Sequence, residues 1–108
     1  MSLKVLFVCT ANLDRSPKAE EITDEIDGVE AKSSGIRASL GGEGTVVDGE
    51  LVEWADEILV MEEKHRDYLM ENFSEAGGKI KVLGIPDKYC KEDQELEKLL
   101  KEKLSTLR

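Results

Sequence analysis

The chain of 108 residues has room for one domain, residues 1–108, and too few residues for a second independent core. Its 40% hydrophobic content excludes a disordered chain, and a net charge of -9 excludes wholesale nucleic-acid binding, which needs a basic face. No apolar run approaches the roughly 18 residues of a membrane span, and two cysteines with one histidine predict no disulfide framework, no metal site and no cofactor.

The first apolar run, Leu3 to Val8, reads as a buried strand, and it is too short and too soon interrupted to be a secretory signal. With only Cys9 and Cys90 available for oxidation, a reducing cytoplasm is the expected compartment. Thr10 to Asp14 breaks the strand. From Arg15 the pattern turns helical, with Pro17 in the first turn, Ala19, Ile22 and Ile26 on one face, and Asp27-Gly28 as the stop. Val29 to Ser33 alternates as a second strand.

Ser34 to Val47 holds four glycines and no aromatic residue, and it reads as a loop. Asp48 caps a short helix to Trp54 that turns Leu51, Val52 and Trp54 inward. A third strand is expected over Glu57 to Met61. A helix over Glu63 to Glu75 follows, burying Tyr68, Leu69 and Phe73 and ending at Gly77-Gly78. The run Glu62-Glu63-Lys64-His65-Arg66-Asp67 is so charged that His65 is expected to face solvent. Lys79 to Gly84 is a fourth strand, Pro86 to Lys91 a loop, and Asp93 begins a helix with Leu96, Leu99, Leu100 and Leu104 at helical spacing. Strands alternating with helices imply a three-layer α/β fold. Its four-stranded parallel sheet has the flavodoxin-like order 2-1-3-4 and helices on both faces. Ligands bind such sheets where the order reverses, beyond the C-terminal end of strand one, and Cys9 sits there.

The segment Cys9-Thr10-Ala11-Asn12-Leu13-Asp14-Arg15-Ser16 therefore carries the chemistry. A tight loop running into a helix points backbone N–H groups at a tetrahedral oxyanion, and the arginine fork grips two of its oxygens. The same dipoles favour a thiolate at Cys9, which attacks phosphorus and forms a phosphocysteine. Ser16 is placed to donate to the departing sulfur, and Asn12 tolerates a left-handed backbone within the loop. An arginine at a helix N-terminus opposes the dipole, and an anion nearby would account for it.

These residues resemble the low-molecular-weight protein tyrosine phosphatase family, whose loop has the form Cys-x5-Arg-Ser followed by Pro. Trp54 to Glu62 is similar to that family's third-strand region. The resemblance implies a general acid in a late Asp-Pro-aromatic loop, which makes Asp87 the acid and Tyr89 an aromatic wall of the site. Three positions depart from the pattern. Ala11 stands for a glycine, Lys88 for the proline after the acid, and Asp14 for a second cysteine.

The expected activity is hydrolysis of a phosphomonoester, phosphotyrosine or another aryl phosphate, on a phosphorylated protein or small molecule. Arsenate reduction shares the loop and would need Cys90 as the relay thiol. A phosphocysteine carrier would need neither Arg15 nor an acid, and a non-catalytic phosphate-binding module would show no turnover. Asp93 rivals Asp87 as the acid, although capping the last helix is its simpler task.

Overall fold

The computed structural model describes residues 3–11, 15–37, 41–42, 44–86, 88–89 and 92–104. Four strands, β1 (Leu3–Cys9), β2 (Val29–Gly35), β3 (Glu57–Val60) and β4 (Ile80–Val82), form one parallel sheet in the order β2-β1-β3-β4. The helices are α1 (Arg15–Thr23), α2 (Gly49–Trp54), α3 (Glu63–Asn72) and α4 (Gln94–Leu104). The predicted flavodoxin-like order and the alternation of strands with helices are both found.

The alternation of side chains along the central strands explains the three layers. Val5, Phe7 and Cys9 of β1 and Leu59 of β3 face one way, into a cluster with Ala19 of α1 and Leu96, Leu100 and Leu104 of α4. Leu6 and Val8, with Ile58 and Val60, face the other way and meet Val52, Ala55, Leu69 and Ala76. The central strand is thus apolar on both faces, as a sheet covered on both sides requires. Lys18 of α1 also pairs with Glu97 of α4 at 3.2 Å, tying the two helices of one layer together.

Local chemistry places the remaining boundaries. Asp48 caps α2 by accepting the Leu51 N–H at 3.0 Å. The other end of α2 is closed from a distance: Lys79 Nζ donates to the Val52 and Ala55 carbonyls at 2.6 and 2.7 Å. Several boundaries differ from expectation: α1 ends at Thr23, short of the Asp27-Gly28 stop, and β2 runs past Ser33 to Gly35. Helix α3 ends at Asn72, and Gly77-Gly78 lie inside a separate 3-10 turn, Ser74–Lys79, whose tighter winding buries Ala76 fully. Strand β4 is only three residues long, Ile80–Val82, where Lys79 to Gly84 was expected, and it pairs with β3 alone.

Gly84 then matters for the site. Its φ of 76° is a left-handed turn that side chains resist. Leu83 and Ile85 on either side still donate their N–H groups to the Val60 and Met61 carbonyls, both at 2.8 Å. The turn therefore carries the chain across the end of β3 and delivers Ile85, fully buried, beside Cys9 in the same core cluster.

Candidate active site

Cys9 is the last residue of β1, paired in register with Gly35 of β2 and 3% exposed. Its neighbours are held by main-chain bonds: the Cys9 carbonyl accepts from Ile36 N at 3.0 Å and the Thr10 carbonyl from Arg37 N at 3.1 Å. The thiol lies 3.0 Å from the Ser16 hydroxyl, and that hydroxyl also donates to the Ser34 carbonyl at 3.1 Å. With one hydrogen to give, Ser16 serves the carbonyl while Cys9 is a thiol, and can turn to the sulfur when it is a thiolate. Helix α1 begins at Arg15, so the loop ends on a helix N-terminus as its sequence predicts.

Arg15 is 2% exposed, and a buried cation must be paired. Its NH1 donates to Glu62 Oε1 and to the Ile85 carbonyl, both at 2.7 Å, and NH2 lies 3.4 Å from Thr10 Oγ1. The dipole conflict noted in the sequence is met by the protein itself, because the Glu62 carboxylate supplies the anion. The guanidinium plane is held from the ends of β3 and β4 at once, so its orientation does not depend on the loop alone.

Burial by itself would push the Glu62 carboxyl up. The hydrogen bond and charge of Arg15, with Lys64 nearby, outweigh it and hold the group below its ordinary value of 4.5. A carboxyl depressed in the folded protein stabilises it fully above the ordinary value, and that contribution fades as pH falls through the folded one. Glu62→Gln is therefore expected to lower the melting temperature above about pH 5, by an amount worth about 1 kcal/mol for a solvent-screened pair. The difference from the parent should shrink below pH 4.5, which melting curves across pH 3–8 would measure.

His65 corrects the sequence reading: it is fully buried, where solvent exposure was expected. It stands in the first turn of α3, where its Nδ1 accepts the Glu62 N–H at 3.0 Å and its Nε2 lies 3.0 Å from Thr10 Oγ1. Charge density along the chain concealed this, because Lys64 and Arg66 point out while His65 turns back over the end of the sheet. Glu62 was missed for the same reason. Both follow directly on β3, whose C-terminal end lies beside that of β1, and that adjacency was the signal available.

The other expected residues divide in two. Thr10, Ala11, Arg15 and Ser16 are brought together with Cys9, whereas Asn12, Leu13, Asp14, Asp87 and Cys90 lie outside the described residues. Tyr89 is half-buried against the cluster that contains Cys9 and Ile85, with Lys88 Nζ 5.5 Å from its ring centre. Asp93 accepts the Glu95 N–H at 3.0 Å and so performs the capping task at the start of α4.

No family model matches the chain. A protein-arginine-phosphatase of Geobacillus stearothermophilus is 33% identical over 100 residues, covering 73% of this chain and 68% of that protein. The solved structure of the YwlE arginine phosphatase from Geobacillus stearothermophilus is 28% identical with a TM-score of 0.71, covering 97% of this chain and 94% of that one. The tyrosine phosphatase Wzb from Escherichia coli K30, solved in complex with phosphate, is 25% identical with a TM-score of 0.80, covering 99% and 96%.

Proposed function

The chain belongs to the low-molecular-weight protein tyrosine phosphatase family and is a cysteine-dependent phosphatase, and from that premise we propose that Cys9 is its nucleophile and protein phosphotyrosine its substrate. The observation that carries the assignment is the placement of the Cys9 thiol 3.0 Å from Ser16 Oγ, on a loop whose far end holds the doubly anchored Arg15. The thiolate attacks phosphorus, a sulfur–phosphorus bond forms, and the phosphorus–oxygen bond to the tyrosine breaks as Asp87 protonates the departing phenoxide. Water then attacks the phosphocysteine, giving up a proton to Asp87. Phosphate is released, and the sulfur leaves as a thiolate that Ser16 stabilises. Loop amides of residues 10–16 and Arg15 hold the equatorial oxygens throughout.

Tyr89, half-buried beside the Cys9 cluster, supports an aromatic substrate. A second reading is favoured by the 33% identity to a protein-arginine-phosphatase: cleavage of a phosphorus–nitrogen bond by the same nucleophile. The cytoplasm remains the proposed compartment, and no described helix is long and apolar enough to cross a membrane.

Peptides of one sequence carrying phosphotyrosine, phosphoserine or phosphoarginine separate these readings by phosphate release. Fastest release from phosphotyrosine is expected. Preference for phosphoarginine would move the substrate to the phosphoramidate, and loss of thiols on arsenate without any phosphate release would make the enzyme a reductase. For the acid, Asp87→Asn should slow phosphotyrosine hydrolysis about 100-fold while hardly changing a nitrophenyl ester, whose leaving group departs unaided. An equal loss on both esters would make Asp87 structural.

A further inference from the structure

One hydroxyl beside the nucleophile has its hydrogen-bond directions settled by its neighbours. The Glu62 N–H donates to Nδ1 of His65, so that nitrogen carries no proton and the imidazole hydrogen is on Nε2. Nε2–H accordingly donates to Thr10 Oγ1, 3.0 Å away. Arg15, which can only donate, directs NH2 at the same oxygen from 3.4 Å. A threonine hydroxyl has two lone pairs and one hydrogen, and two donors occupy the lone pairs. Its own hydrogen is left to point in the remaining direction. Thr10 is half-buried, whereas His65 and Arg15 are buried, so this hydroxyl is the solvent-side end of a buried chain.

We infer that the Thr10 hydroxyl donates to a phosphoryl oxygen of the substrate, and that His65 is the positioning residue that fixes its hydrogen for that purpose. The inference rests on the phosphate cradle proposed above. Its physical advantage lies in charge. The chain is strongly acidic, and Arg15 already faces the Glu62 carboxylate. A neutral donor with a preset hydrogen adds an oxyanion contact without a further buried charge to pair. The alternative His65 tautomer would set its Nδ1–H against the Glu62 N–H, donor against donor. The main chain therefore enforces the tautomer, and the hydroxyl cannot turn its lone pairs on an anion.

The test uses the full chain in two forms. Inorganic phosphate is titrated calorimetrically into Cys9→Ser protein, and nitrophenyl phosphate kinetics are measured with Cys9 intact. Thr10→Val, which keeps shape and removes the hydroxyl, should weaken phosphate binding and kcat/KM about tenfold, the scale of a hydrogen bond to a charged oxygen. Thr10→Ser should recover most of the loss. His65→Phe should match Thr10→Val, and His65→Gln, whose amide can accept from Glu62 N–H and donate to Thr10, should recover part of it. If His65 acts through Thr10, the double variant Thr10→Val/His65→Phe loses no more than the larger single. Fully additive losses, or a Thr10→Val protein with unchanged phosphate affinity, would overturn the inference. Should His65→Phe fail to fold, the Thr10→Val and Thr10→Ser pair decides the matter without touching the core. A parent that neither binds phosphate nor turns over would remove the cradle and this inference together, whereas an active parent with an indifferent Thr10 removes the inference alone.

Discussion

Cys9→Ser protein is expected to release phosphate from nitrophenyl phosphate at least about 10⁴-fold more slowly than the parent, while still binding inorganic phosphate. The substitution replaces one atom in a nearly closed site, so packing changes little. What is lost is nucleophilicity: a thiol ionises near neutral pH, and a hydroxyl does not without a base to take its proton. Ser16 Oγ, 3.0 Å away, is itself a neutral hydroxyl and cannot act as that base. Binding survives because the anion contacts proposed for the loop amides, Thr10 and Arg15 are not altered. Steady-state kinetics together with calorimetry read both halves of the expectation. Residual activity within tenfold of the parent would end the nucleophile assignment.

Arg15→Lys should fail on both counts, with kcat/KM down about 10³-fold, as expected when a phosphoryl-transfer arginine is lost, and with phosphate binding reduced to match. Charge is conserved in this substitution, but geometry is not. The guanidinium meets Glu62 Oε1 and the Ile85 carbonyl through one nitrogen and reaches towards Thr10 through another, all in one rigid plane. An ammonium that satisfies Glu62 has its charge at a single point beside that carboxylate and cannot present a planar fork to the phosphate. The contrast with Glu62→Gln is informative. There the fork remains and only its anchor weakens, so activity should fall far less than in Arg15→Lys. Equal losses in the two variants would mean that Arg15 serves the fold through Glu62 and not the anion.

Much of this arrangement is written in local sequence. The apolar run at Leu3 to Val8, the Asp48 cap and the leucine spacing of α4 specify strands and helices through side-chain period and backbone chemistry, which neighbouring residues determine among themselves. Alternation of those elements was enough to predict the sheet order, and with it the position of Cys9 at the reversal point. The spacing from Cys9 to Arg15 and Ser16 then made the loop legible as an anion cradle. Glu62 and His65 were not legible in this way. Their surroundings along the chain, Glu63, Lys64, Arg66 and Asp67, are those of a solvated helix start, and nothing within a few residues distinguishes them. Their roles arise from contacts across 47 and 55 residues, made only because β3 lies beside β1 and its C-terminal end meets the loop. The Ile85 carbonyl joins Arg15 across 70 residues for the same reason, after Gly84 turns the chain over the end of β3. Short-range sequence thus marked the proposed cradle and its proposed nucleophile, whereas the groups that hold Arg15 and Thr10 were selected by parallel strand pairing, whose long connections carry no local signature.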